Sequence, residues 1–433
     1  MRVAIQRRGA ARPHPAFAGW TILGIGGIAL FLSASAQTYG FSVFIDPMLA
    51  EFGWSRSLIS SAYTVATLVS AGVVFLGGGL IDRFGHRRVM TVTTLVYAAS
   101  LVLMGSVINP FSLVLVFTLL RATGASLLSL TARTLVAQWF VRRRGRAVSL
   151  VNLGKMLGMA AVPAGNALLI SHLGWRDAWR MNAVLVATLI PLALLFVHSR
   201  PEDLGQFPDG AHPEPGHDAS GAPLSGDDGS WTLKQAMRTR AMWLLLSAGV
   251  VPAMVTNGLS FHQISILTER GLSSTAAATT FAVESAVALP MTLLAGWLAD
   301  RFGPRYVLGL GQMALAATLV WLAFVASAEM AIVFGVLRGV TTGIWILATE
   351  VAWPTYFGRR HLGSIVGMSF AVSFVGAAIG PLPFGLIYDA FGDYDYAIWG
   401  LAVLPALTTW AAVLATPPSP RPVAPDDQVS RSS

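Results

Sequence analysis

Residues 78–88 read GGLIDRFGHRR, and residues 296–306 read GWLADRFGPRY. Both fit the frame G-x-L-x-D-R-F-G-x-R, and each copy follows one apolar stretch and precedes another. Two helices meeting at a membrane surface need such a segment. Glycine allows the sharp turn and close approach of backbones. An acid can bond the unpaired N–H groups of a helix start or a neighbouring arginine, and arginines suit the anionic headgroups beside them. Asp82 and Asp300 lie 218 residues apart. Further on, TLLRATG around Arg121 matches GVLRGVTTG around Arg338 at a separation of 217, and Trp139-Phe140 matches Tyr356-Phe357 at the same separation. A spacing held over several features indicates two halves with one fold.

Composition fixes the solvent. Of 433 residues, 54% are hydrophobic and 12% charged, against about 25% charged in a soluble domain. Twelve membrane helices of ~20 residues would occupy ~240 residues, close to the apolar content. Apolar stretches begin near residues 17, 57, 88, 112, 147 and 177, then near 241, 275, 306, 330, 362 and 395. The expected fold is therefore all-α: a polytopic membrane protein with twelve transmembrane helices in two pseudo-symmetric six-helix bundles. The expected divisions are an N-terminal tail (1–16), a first bundle (17–199), a linker (200–240), a second bundle (241–416) and a C-terminal tail (417–433). From Arg200 to about Ser230 the linker is rich in Pro, Gly, Asp and Glu, too polar to form a core. There are no cysteines, so disulfides and thiolate chemistry are excluded.

The net charge of +8 is distributed as short Arg clusters between the spans, which is the pattern that orients membrane proteins. With the N-terminus inside, Arg83, Arg87, Arg88, Arg142, Arg143, Arg144, Arg146, Lys234, Arg238, Arg240, Arg301, Arg305, Arg359 and Arg360 fall inside. Only Arg56, Arg176, Arg180 and Arg270 fall outside. Both termini and the linker are expected to be cytoplasmic, in a bacterial-type inner membrane. The first apolar run is read as an uncleaved span, since no small-residue cleavage site follows it.

The duplicated D-R-F-G loop resembles the signature loop of the major facilitator superfamily, whose halves rock about a site at the membrane midplane. Within it, YGFSVFIDPMLAEFGWSRS (39–57), WFVRRRGRAVSL (139–150) and GAAIGPLPFGLIYDAFGDY (376–394) resemble the monocarboxylate and oxalate–formate branch. The resemblance implies that Asp82, Arg83, Asp300 and Arg301 latch the halves in one conformation; alternatively they only cap helices and set topology. The chain departs from monocarboxylate carriers in having no arginine in span eight and no basic residue in span one.

A charge inside the bilayer costs at least ~2.5 kcal/mol and usually faces a cavity or a partner. Arg121 lies near mid-depth, and its guanidinium fork suits a carboxylate; the other reading is a hydrogen-bond hub between helices, and that reading is favoured for its repeat partner Arg338. Lys155 can be a second anion contact or can snorkel to the interface. Apolar surroundings disfavour a charged carboxyl, so Glu284, within TTFAVESAVALP, is the first choice for proton coupling, with a static partner to a base as the alternative. Imidazole titrates near ~6.5, so His262 can relay protons, although a polar wall residue is the readier reading. Arg133 and Glu350 occupy equivalent positions with opposite charge and are expected to help close the cytoplasmic side. The polar lining is expected to include Gln37, Tyr39, Asn152, Asn257 and Gln263, with Trp345 stacking on a substrate ring or packing in the core.

The leading functional expectation is a proton-coupled importer of a small organic anion, a carboxylate, working by alternating access as a monomer. Its partners are then a small-molecule substrate, protons and the lipid bilayer, with no nucleic acid, no metal and no cofactor. The alternatives are an importer of a larger ring-containing nutrient such as a vitamin, a drug/proton efflux antiporter, and a membrane sensor or scaffold. An enzyme is not expected, because no P-loop, H-E-x-x-H or nucleophile elbow is present.

Overall fold

The computed structural model describes residues 17–140, 144–207, 209, 231–358 and 362–418, apart from the side chains of 74–78, 82, 144–145, 148, 300, 346–351, 354 and 362–364. The N-terminal arginines and the centre of the linker lie outside these residues. Among the described residues the regular structure is helical throughout. Spans two to six run Arg56–Phe84, His86–Met104, Pro110–Trp139, Arg144–Leu173 and Trp175–Phe196. Spans seven to ten run Arg240–Glu269, Ser274–Phe302, Pro304–Ala323 and Ala328–Phe357, and span twelve runs Asp395–Leu414. Span eleven is made of Leu362–Ile379 and Pro381–Phe391. Span one begins at Gly19–Leu32, passes through a tight turn at Ser33–Ala36 and an extended Gln37, and continues in short helical pieces to Phe52. Every start lies within about three residues of the position expected from hydropathy.

The duplicated loop owes its glycine to backbone geometry. Gly85 and Gly303 have φ of +77° and +87°, a region that side-chain-bearing residues rarely enter. Each lets one helix end and the next begin with a single residue between them.

Both ends of the hydrophobic chain meet the linker flanks on one face. The Ala18 N–H donates to Gln206 Oε1 (3.0 Å), the Trp231 N–H donates to the Phe357 carbonyl (2.9 Å), and Tyr356 donates to the Ala415 carbonyl. We call this the linker face; Arg56, Arg176 and Arg270 lie on the far face. Toward the far face the two halves share one buried core, in which Phe41 of span one packs at 5.7 Å from Phe261 of span seven. On the linker face the cores are separate. One is built around Met242, Trp353 and Phe357, the other around Ile81, Val89 and Leu127. The halves thus share their buried core toward the far face, and the linker-side core of the second half does not join the first, the arrangement of a cleft open on the linker side.

Lipid supplies no hydrophobic drive for helix association, so close packing must come from small residues. Gly335, Gly339 and Gly343 form a stripe on span ten against span eight. A Cβ on Gly339 would lie 2.6 Å from Val287 Cβ and 2.7 Å from the Glu284 carbonyl, and one on Gly343 would lie 2.6 Å from the Ala288 carbonyl. Spans one and five approach in the same way at Gly27 and Gly154, and spans seven and eleven at Gly258 and Gly380. Gly339→Leu should therefore prise spans eight and ten apart, at a cost of at least ~1–3 kcal/mol. The expected result is loss of the monodisperse elution peak or a clear drop in melting temperature. Gly400→Ala, where nothing lies within 4 Å, should leave both unchanged.

Candidate substrate site and far-face gate

The glycine stripe brings two charges together. Arg338 Nε donates to Glu284 Oε2 (3.2 Å), and both side chains are 1% exposed. Arg338 Nη2 donates to Ser260 Oγ of span seven (2.6 Å), and Thr342 Oγ1 donates to Glu284 Oε1 (2.8 Å). Nη1 of Arg338 has no hydrogen-bond partner among the described residues. One turn along, Gln263 Nε2 donates to Thr280 Oγ1 (2.7 Å). Tyr39 of span one approaches from the other half, its ring 6.1 Å from Phe281. Ser260, Thr280 and Thr342 were not singled out from the sequence. Two of them carried a signal, since Thr280 stands four residues before Glu284 and Thr342 four after Arg338, and such spacing shares a helix face.

Arg121, the repeat partner of Arg338, has a different environment. Span four widens to a π-helix over Arg121–Leu128 opposite the break in span one. Arg121 Nη1 donates to the Ala36 carbonyl (3.2 Å), and Gln37 Nε2 reaches the Ala125 carbonyl (3.4 Å). Each irregular helix thus repairs the backbone of the other, and buried backbone groups need such partners. The guanidinium of Arg121 also lies 4.4 Å over the Tyr63 ring. The break is further tied by Ser35 to Asn182 (2.6 Å) and by Asn182 to Asn166 (2.8 Å). Nη1 of Arg121 thus serves the fold, while its buried Nε has no hydrogen-bond partner among the described residues.

Lys155 is partly exposed and Arg133 exposed, although both lie within spans. Arg133 is close enough to Lys155 and to Tyr39 to act on both electrostatically. Asn152 stands three residues before Lys155, and its Oδ1 has no partner among the described residues. The side chains of Asp82, Asp300 and Glu350 lie outside the described residues. Arg83 and Arg301 are exposed and lie over their own neighbours Phe84 and Phe302 at 5.3 and 5.7 Å. Trp345 is partly buried on span ten.

Asn257 and His262 belong to the seal between the halves. Asn257 Nδ2 donates to Tyr63 Oη (2.7 Å) and to the Ala377 carbonyl, which fixes the orientation of the amide. Thr38 then donates to Asn257 Oδ1 (2.7 Å) and accepts from Tyr63 (2.7 Å), closing a ring of three bonds across the halves. His262 is fully buried. Its Nε2 is 3.1 Å from the Pro381 carbonyl and 3.1 Å from Ser60 Oγ, while Nδ1 is 2.9 Å from Tyr394 Oη. A carbonyl only accepts, so Nε2 carries the proton and Nδ1 is left to accept from Tyr394. This geometry suits the wall reading of His262.

Nearer the far face, Arg56 bonds Asp46 of span one (2.8 Å) and Glu269 of span seven (3.0 Å) and lies 4.3 Å over Tyr388. Asp389 of span eleven accepts from the backbone N–H groups of Arg56 (3.1 Å) and Ser57 (2.8 Å). It thus caps the first turn of span two from the opposite half, where a carboxylate also complements the helix dipole. Sequence reasoning did not bring this cluster together, because its members come from four spans.

A model of the Major Facilitator Superfamily matches residues 23–291 and 258–432. The chain belongs to that superfamily. This facilitator is a transporter and not an enzyme, a multi-pass membrane protein moving small molecules. It is 25% identical over 365 residues to the MFS-type transporter YcxA of Bacillus subtilis, covering 82% of this chain and 85% of that one. It is 24% identical over 445 residues to a gallate transporter of Pseudomonas putida, covering 93% of each. Its fold superimposes on a bacterial homologue of the human lysosomal transporter Spinster with a TM-score of 0.69 at 15% identity, over 94% of this chain and 97% of that one.

Proposed function

We propose that this facilitator is a proton-coupled importer of small organic anions, with Arg338 and Glu284 at the coupling site. The observation that carries the reading is a fully buried guanidinium that shares its charge with one carboxylate and still has an unused donor. A substrate carboxylate and the Glu284 carboxylate compete for Arg338. Protonating Glu284 frees the guanidinium for the substrate, and losing that proton to the cytoplasm expels the substrate. The two ligands are coupled because each changes the charge the other meets. Arg133 and Lys155 make the cleft attractive to anions, and the gallate-transporting relative carries an aromatic carboxylate. The excess of Lys and Arg on the linker side supports a cytoplasmic linker and cytoplasmic termini, and with that orientation the cleft faces inward.

The test is uptake of radiolabelled benzoate and related carboxylates into proteoliposomes with an imposed pH gradient. One proton per substrate supports about tenfold accumulation per pH unit. Glu284→Gln, which mimics the protonated carboxyl, is expected to abolish gradient-driven accumulation while counterflow exchange persists. Retention of full pH-driven uptake by this variant assigns the proton to another residue.

A further inference from the structure

The nest beside Arg338 has a direction built into its hydrogen bonds. The Thr280 hydroxyl donates to the Ala277 carbonyl, so its oxygen accepts from Gln263 Nε2. The amide is thereby fixed, and Gln263 Oε1 can only accept. Gln263 is 1% exposed, and Oε1 has no partner among the described residues. Tyr39 Oη is also buried and unpartnered. The site therefore presents a cationic donor at Arg338 Nη1 and an acceptor at Gln263, with the Tyr39 hydroxyl and the Phe281 ring alongside.

The spacing follows from the helices. Ser260, which holds Arg338, lies three residues before Gln263, and Glu284 lies four after Thr280. The ion-pair rung and the amide rung are thus one helical turn apart, ~5.4 Å. A benzene ring separates a carboxylate from a para substituent by a comparable length.

We propose that this nest selects ring carboxylates bearing a hydroxyl opposite the carboxylate, the class of 4-hydroxybenzoate. The carboxylate takes Arg338 Nη1, and the hydroxyl donates to Gln263 Oε1. This rests on the organic-anion reading above. A ligand without the donor leaves a buried acceptor unpaired, and that penalty sets the specificity.

The experiment is calorimetric binding of 4-hydroxybenzoate, 4-methoxybenzoate and benzoate to the purified full chain. The methoxy compound keeps the oxygen but cannot donate. Wild type is expected to prefer 4-hydroxybenzoate by about 10- to 100-fold over both others. Gln263→Leu should collapse that preference to about threefold or less, since no acceptor is left to satisfy. Thr280→Val, which releases the amide to turn, should lower it too and serves if Gln263→Leu does not fold. Equal affinity of wild type for the three carboxylates overturns the hydroxyl assignment and leaves an anion site standing. Failure of all three to bind overturns the organic-anion reading with it.

Discussion

Arg338→Met should destabilise the protein by about 3–5 kcal/mol, the range expected when a buried pair loses one partner and strands the other charge. In detergent this should appear as a fall of many degrees in melting temperature together with complete loss of uptake. The argument turns on what remains. Glu284 is 1% exposed and, among the described residues, holds the Thr342 hydroxyl besides Arg338. Adding Glu284→Leu removes the stranded carboxylate, and well-packed apolar residues commonly replace buried ion pairs at little or no loss. The double variant is therefore expected to regain most of its melting temperature and to remain inactive in transport. That split separates a functional pair from a structural one. A double variant that transports shows that Arg338 and Glu284 serve the fold alone, and a single variant as stable as wild type shows that they do not hold each other.

Arg56→Ala should open the far face. Arg56 makes two charge-assisted bonds and covers the Tyr388 ring while only 11% of its side chain is exposed. Hydrogen bonds to charged groups contribute ~1.5–3 kcal/mol each. A net weakening of ~3 kcal/mol shifts the ratio of far-face-closed to far-face-open molecules by roughly 150-fold. The chain has no cysteine, so a single reporter reads the change cleanly. Ala378→Cys places a thiol where span eleven is fully buried against Thr64. Its labelling by a membrane-impermeant maleimide from the far face should rise at least about tenfold when Arg56→Ala is added. Asp389→Asn, which weakens the cap on span two, should produce a smaller rise in the same direction. Unchanged labelling in both removes Arg56 and Asp389 from the gate.

These expectations differ in how far the sequence foresaw them. Glu284 and Arg338 were visible as charges in apolar runs, because the bilayer penalises such residues unless they have a use. Their pairing was not visible, since 54 residues separate them and only the Gly335–Gly339–Gly343 stripe brings their helices together. That stripe was not singled out from the sequence, although small residues four apart mark close helix contacts in membranes. Arg121 looked equivalent to Arg338 by repeat, yet it bonds a carbonyl freed by the break in span one. Nothing in the local pattern distinguishes a helix that continues from one that opens at Ser33–Gln37. Arg56 read only as an outside charge, because Asp46, Glu269 and Asp389 are brought to it by folding.

What the sequence determined by itself is the architecture. Helix length, apolar content and loop charge are set by the bilayer, which acts on each segment separately, and the duplicated D-R-F-G loop with its obligatory glycine marks the two halves. What the tertiary structure decided is which charges meet, which donors remain unused and which face is shut. Those depend on distances between spans far apart in the chain. Such distances come from side-chain fit at helix crossings, and no single segment of sequence contains them.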